Sequence, residues 1–366
     1  MLSFFKKEPV LSIASLAALI SCFFVFPSKA YIGYLDFHVL ILLFCLMIVV
    51  AGLMKTRLFD MISAKILSSS DNSRTIALLL TNITFLSAML ITNDVALITM
   101  VPFSAGIFKK CRKDMLIKLV VLETVAANLG SMITPFGNPQ NLYLYSHFNM
   151  KMSDFASATL PFGLLSLLMI NISVFLLIKK EKIVCEETDE VKIEGKRDLC
   201  IFGILFILCV LTVFKVVNAL ICIAVVFLVC LIIDRKLFFK VDYFLLLTFC
   251  AFFIFVGNMK NIETISAFIS EFTQGREFMA GVLSSQIISN VPAAMMLSGF
   301  TDNAADLMMG TDIGGLGTLV ASLASLISYK QYSKTENADM KKYLFTFTIV
   351  NVIFLVILAG IYILLR

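Results

Sequence analysis

Charge and histidine are what this sequence has least of. Lys, Arg, Asp and Glu make up 15% of the 366 residues, where a soluble domain carries about a quarter. With that little charge and 60% hydrophobic residues, a disordered chain, a nucleic-acid-binding module and an ordinary soluble enzyme are excluded. The two histidines, His38 and His147, lie too far apart in the chain for a histidine-based metal site. An intramembrane enzyme would need a paired nucleophile and base or a metal dyad, and neither histidine stands beside such a pair. No enzymatic activity and no cofactor are expected. The nine cysteines show no metal-ligand spacing and read as small apolar fillers.

What the chain does have is long apolar runs. At about 20 residues per crossing, they predict an all-α integral membrane protein with about ten to eleven transmembrane helices. The basic start, Lys6 and Lys7 before an apolar run, lacks a convincing cleavage site and reads as a first span within residues 1–28. A second helix covers about 36–54, and an amphipathic stretch follows at 56–70. The run 75–108 holds no Lys, Arg or Glu and only one charge, Asp94. It is too long for one crossing and short for two, which suits a re-entrant hairpin. The run 115–150 is interrupted by Thr134-Pro135-Phe136-Gly137-Asn138-Pro139 and predicts a broken helix. After a helix at 156–178, the charged segment 179–198 reads as a cytoplasmic linker. Residues 199–366 then repeat the plan, with a hairpin at 277–300 and a Gly-rich broken helix at 304–329. With the N-terminus in the cytoplasm and the C-terminus external, 24 of the 30 lysines and arginines fall on the inner side, in keeping with the positive-inside tendency.

Residues 29–178 and 199–366 also resemble each other. Phe44-Cys45 and Gly52 through Lys55 match Phe249-Cys250 and Gly257 through Lys260, and Thr92-Asn93 matches Ser289-Asn290. In the breaks, Asn128, Thr134, Asn138 and Asn141 match Asp312, Thr318, Ser322 and Ser325 in one register. The matching helices end on opposite sides, so the copies are expected to be inverted. Inverted repeats with interrupted helices point to a secondary transporter with its site near the midplane. Irregular backbone at that depth is tolerated only where it lines a cavity or is buried in protein. The expected binding residues are therefore the tips and breaks: Thr92, Asn93, Asp94, Ser289 and Asn290, with Thr134, Gly137, Asn138, Asn141, Asp312, Thr318 and Ser322. Asp94 carries the strongest expectation, because a carboxylate inside a membrane marks function by default. Glu123 reads as a group that snorkels or pairs with a lysine.

Thr92-Asn93-Asp94-Val95, the segment Thr134 to Asn141, Ser289-Asn290-Val291-Pro292-Ala293 and the run Gly310 to Gly315 together resemble the ion transporter superfamily. That group includes arsenite permeases, NhaD-type sodium/proton antiporters, citrate transporters and divalent-anion/sodium symporters. The resemblance runs from about residue 30 to the end. It implies a homodimer in the cytoplasmic membrane, an elevator-like transport domain, and Na+ or H+ as the coupling ion, with sodium near Asn93, Asp94 and Asn290. The symporter tips carry Ser-Asn-Thr, whereas here the third position is Asp94 in one tip and Val291 in the other. The Asn-Asp tip is closer to the arsenite permease and antiporter branch. The leading expectation is a small-anion transporter, for an organic acid or an inorganic oxyanion. A Na+/H+ antiporter is the alternative.

Overall fold

The computed structural model describes residues 9–58, 61, 72–108, 113–182, 195–336 and 338–366. The N-terminal Lys6 and Lys7, most of the amphipathic stretch at 56–70, and residues 183–194 of the linker lie outside them. Among the described residues the chain is helical, with one isolated bridge between Asn72 and Lys182.

The elements are α1 (Pro9–Ser21), α2 (Ala30–Tyr34), α3 (Phe37–Lys55), α4 (Ser73–Ile91), α5 (Asn93–Ile107), α6 (Lys113–Ser131), α7 (Pro139–His147), α8 (Met152–Leu177), α9 (Lys196–Val213), α10 (Ala219–Ile233), α11 (Tyr243–Lys260), α12 (Glu263–Thr273), α13 (Glu277–Ile288), α14 (Asn290–Leu297), α15 (Ala304–Gly314), α16 (Leu323–Ser333) and α17 (Met340–Leu364). Five of them, α3, α4, α8, α11 and α17, are long and apolar enough to cross a membrane by themselves. Shorter apolar helices include α5, α10 and α13. The fold is that of a multi-pass membrane protein.

Local chemistry explains where helices begin. A helix leaves its first N–H groups without partners, which is costly away from water. Asp or Asn side chains accept from those groups at the starts of α3 (Asp36), α4 (Asn72), α7 (Asn138), α10 (Asn218), α11 (Asp242), α15 (Asn303) and α17 (Asp339). Pro139 follows Asn138 at the first helical position, where its missing N–H costs nothing.

The solvent-facing rule of soluble proteins is reversed. On α8 the outward residues are Leu160, Leu164, Leu168, Ile172 and Phe175, an apolar stripe suited to lipid. On α6, by contrast, Glu123, Thr124, Asn128 and Ser131 are all buried. This helix runs through the middle of one apolar core with α4, α5, α8, α16 and α17 around it. A second core forms where α3 packs against α9, α10 and α11. Helices α13 and α15 contribute to both cores. The irregular segments that carry the polar residues lie where these bodies meet.

Candidate functional site

Thr92 joins α4 to α5, and Ser289 joins α13 to α14. The two residues have nearly the same backbone, φ 73°, ψ 150° and φ 75°, ψ 154°. This region is nearly reserved for glycine and costs a side-chain-bearing residue about 1–3 kcal/mol. In both junctions the next residue is an asparagine whose Oδ1 accepts the following N–H, at 3.0 Å from Asp94 N and 3.0 Å from Val291 N. Helix α4 runs parallel to α6, since Met89 O meets Thr134 while the turn before it meets Gly130. Helix α5 runs back along α6, from Asn93 at Asn128 to Ser104 at Glu123. The two therefore form a hairpin with Thr92 at its tip. In the second pair, Thr301 donates to Glu277 at 2.9 Å, so that chain also doubles back.

The breaks sit against these tips. Helix α6 ends at Ser131 and α7 begins at Pro139; α15 ends at Gly314 and α16 begins at Leu323 after a short 3-10 turn at Leu319–Ala321. A Cβ on Gly130 would overlap the Phe85 carbonyl, and one on Gly314 would stand 2.9 Å from Val282 Cα. Each break therefore needs a glycine to approach its hairpin. Gly137 is likewise required, because a Cβ there would run into the Ser131 carbonyl across the turn.

The hydrogen bonds come in matched pairs. Thr134 Oγ1 donates to Met89 O at 2.6 Å, and its counterpart Thr318 donates to Gln286 O at 3.2 Å. Each tip also bonds to its own break, though through different groups: Asn93 N donates to Gly137 O at 3.1 Å, and Ser289 Oγ, at the position matching Thr92, donates to Ala321 O at 3.4 Å. The breaks also interlock. Asn128, before the first break, accepts from Ser322 at 3.0 Å and donates to Ser325 at 3.3 Å. Its counterpart Asp312 accepts from Asn138 at 3.1 Å and from Gln140 at 3.3 Å.

Most of the expected residues thus converge. Asn93, Gly137, Asn138, Asn141, Ser289, Asn290, Asp312 and Ser322 are buried in one connected cluster, and Asn290 packs against Gly315. Thr134 and Thr318 stand at its edge, with their hydroxyls committed to hairpin carbonyls. Two buried oxygens, Asp312 Oδ2 and Asn141 Oδ1, have no hydrogen-bond partner among the described residues. Hard oxygen ligands of this kind suit a small cation. They lie at the second break and α7; Asp312 is bonded to Asn138, which lines a cavity together with Thr92 and Asp94. No cluster of three or more His, Cys, Asp or Glu that could hold a metal occurs among the described residues.

Two cavities lie along α3. One, of about 720 Å³, lies between α3, α5, α7 and the turn Arg235–Lys240. Thr92, Asp94 and Asn138 line it, together with Lys55, Lys236, Lys240, Asp234 and Asp242. Lys55 pairs with Asp234 at 2.6 Å, and this ammonium holds the Asp234 carboxyl below the usual carboxylate range. Asp242 caps α11. Lys236 and Lys240 form no ion pair among the described residues. The other cavity, of about 640 Å³, holds Asp36, Tyr143, His147, Lys260 and Asn261. It lies at the opposite end of α3, a helix of 19 residues and hence about 28 Å long. Leu142 lines the first cavity and Tyr143, the next residue, the second.

Some of the network was not expected from sequence. Gln140 and Ser325 stood inside the motifs, but nothing in sequence said that they face the opposite break. Glu123 neither snorkels nor pairs with lysine. It is fully buried, Ser104 donates to its Oε1, and its Oε2 has no partner among the described residues.

A family model described as citrate transporter (CitMHS) matches residues 3–310. An uncharacterized transporter of Methanocaldococcus jannaschii is 34% identical over 321 residues, 87% of each chain. The inner membrane protein YbiR of Escherichia coli is 27% identical over 320 residues, 85% of this chain and 84% of that protein. The matched region takes in both hairpins and the whole first break. The chain belongs to the citrate transporter family.

Proposed function

We propose that the protein is a secondary active transporter of a small anion, an organic acid or an inorganic oxyanion, coupled to Na+ or H+. The observation that carries this reading is the cavity whose lining brings Lys236 and Lys240 together with Thr92, Asp94 and Asn138. The lysines attract an anion, and Thr92 offers a hydroxyl, while the Asn138 amide is held by Ser131 and Asp312. Asp94 makes no side-chain hydrogen bond among the described residues. An anion beside its carboxylate would be repelled unless a cation or proton accompanied it. Asp94 is therefore a physical reason for coupling, and the bare oxygens of Asp312 and Asn141 supply a second cation position.

In this reading the hairpins are re-entrant and the two halves are inverted copies, which the paired tips and interlocked breaks support. The Lys55 side is cytoplasmic, the C-terminus external, and the membrane is the cell membrane. Family resemblance adds a homodimer and an elevator-like movement. The deciding experiment is uptake of labelled citrate and of inorganic oxyanions into proteoliposomes under imposed Na+ or pH gradients. Concentrative uptake driven by either gradient supports the proposal. A sodium-driven pH change with no anion present would instead favour a Na+/H+ antiporter, the reading to which the pair of acids Asp94 and Asp312 lends support.

A further inference from the structure

Glu123 takes no part in the site described above, yet its setting is unusual. It sits at the middle of α6, about 14 Å along the helix from Asp114, which pairs with Lys342 at the bundle face. Its side chain is wholly removed from solvent, with one donor, Ser104 Oγ, and one bare oxygen. Among the described residues, no cation on the elements packed against α6 pairs with it. On α6, Lys118 donates to Leu177 O. On α4, Arg74 donates to Ile178 O. On α17, Lys342 is paired and Lys341 is exposed; on α16, Lys330 and Lys334 are exposed. The acids are committed or distant: α5 holds Asp94 on the cavity, α8 holds Asp154 beside Ser153, and α15 holds Asp306 under Tyr362 and Arg366 and Asp312 under Asn138 and Gln140. Tyr343 of α17 meets Ser328, which in turn meets Thr124, the neighbour of Glu123 on α6; Tyr329 and Tyr332 pack on its ring.

We propose that Glu123 is a proton-carrying site that controls the first hairpin through Ser104. A charged carboxylate with no counter-ion is expensive at this depth, so the charge is neutralised by a proton added at the bare Oε2. Oε1 then remains as a carbonyl oxygen and keeps Ser104 as donor. The step is Glu–COO⁻ plus H⁺ giving Glu–COOH, with no electron transfer. A hydrogen bond to a charged acceptor is about twice as strong as one to a neutral acceptor, so loading the proton loosens α5, the returning arm of the hairpin whose tip carries Asn93 and Asp94. A lane of hydroxyls leads from the Asp339 face towards the same turn of α6. Tyr332 OH accepts from Asp339 N at 3.2 Å, Tyr332 stacks on Tyr343 at 4.8 Å, and Tyr343 OH meets Ser328 at 3.0 Å, with Thr124 2.5 Å beyond. The proposal rests on the transporter reading and names the proton as one coupling ion.

The test is infrared difference spectroscopy of the purified full-length protein through a pH step, with no substrate present. The expected result is a protonated-carboxyl band that fades as pH rises, is absent in Glu123→Gln, and persists in Asp94→Asn and Asp312→Asn. A spectrum identical in wild type and Glu123→Gln, or a Glu123 band that ignores pH, overturns the proposal. If Glu123→Gln is not recovered folded, Ser104→Ala retains the carboxyl and must shift the midpoint of its band; no shift overturns the coupling to α5. Citrate uptake into proteoliposomes keeps the two readings apart. Failure of wild type to take up citrate or oxyanions under any gradient defeats the transporter reading and leaves the infrared result standing. Uptake whose pH dependence is the same in wild type and Ser104→Ala defeats the role of Glu123 alone.

Discussion

At the residue scale, each acid is distinguished by what surrounds it. Asp94 faces the cavity in the first turn of α5, and no side chain among the described residues neutralises it. Its charge at membrane depth costs about 3 kcal/mol, equivalent to about a 100-fold factor, which a co-bound cation or proton would offset. Asp94→Asn is thus expected to reduce gradient-driven uptake on the order of 100-fold while the elution volume of the purified protein stays the same; wild-type uptake would remove Asp94 from the mechanism. Asp234 differs, because Lys55 already holds it. In Asp234→Asn, Lys55 is released to join Lys236 and Lys240 in the cavity lining. Apparent anion affinity should rise a few-fold at low ionic strength, and the gain should vanish at high salt, where such charges are screened. The pH dependence has a definite sign. The Asp234 carboxyl is depressed in the folded protein, so the clasp persists above the ordinary carboxylate range and is lost as pH falls through the depressed value. Acid should therefore mimic Asp234→Asn in a binding assay on wild type. Asp94 was legible in the sequence because it is the one charge in a 34-residue apolar run. Glu123 was not, because a lone acid near Lys118 reads as surface until the burial of α6 is known.

At the element scale, the tips and breaks are held by backbone geometry as much as by side chains. Thr92 and Ser289 sit in the same strained conformation, and glycine would sit there without strain. Thr92→Gly is expected to leave thermal stability unchanged or raised, in contrast to the loss of about 1 kcal/mol for glycine inside a helix. A clear drop in melting temperature would show that the Thr92 side chain stabilises the tip by more than the strain costs. Asn290 braces the second tip against Gly315, so Asn290→Ala is expected to raise the cation concentration for half-maximal uptake several-fold. An unchanged cation dependence would make that tip purely structural. The irregular segments were visible in sequence through overlong apolar runs and the Pro-Gly-Asn signals inside them. Their mutual contacts were not. The register match between Asn128 and Asp312 identified equivalent positions but could not say that each reaches across to the other break. That follows only once α6 and α15 pack near the same junction, a consequence of the two cores closing over α13 and α15.

At the scale of the whole molecule, the two cavities described above set the site against its surroundings. They stand at opposite ends of α3, and of these two the one at the Lys55 end reaches Thr92, Asp94 and Asn138. The cavity at the other end borders α7, where Tyr143 bonds to Ser298 of the second hairpin at 2.8 Å and stacks on His147. This contact joins α7 to the second hairpin, and under the proposed transport reading it would be the closed side of the barrier. A molecule that carries cargo across must open this barrier while closing the other cavity. The expected outcome in a cysteine-free background is that Val95→Cys, in the first cavity, reacts with a membrane-impermeant thiol reagent applied from the Lys55 side and is protected from the opposite side. Adding Tyr143→Phe removes the bond to Ser298, worth about 1 kcal/mol, and should shift labelling towards the opposite side by up to several-fold. Equal labelling from both faces in the parent would mean a continuous pore, and a labelling pattern unmoved by Tyr143→Phe would place the barrier elsewhere than at α7.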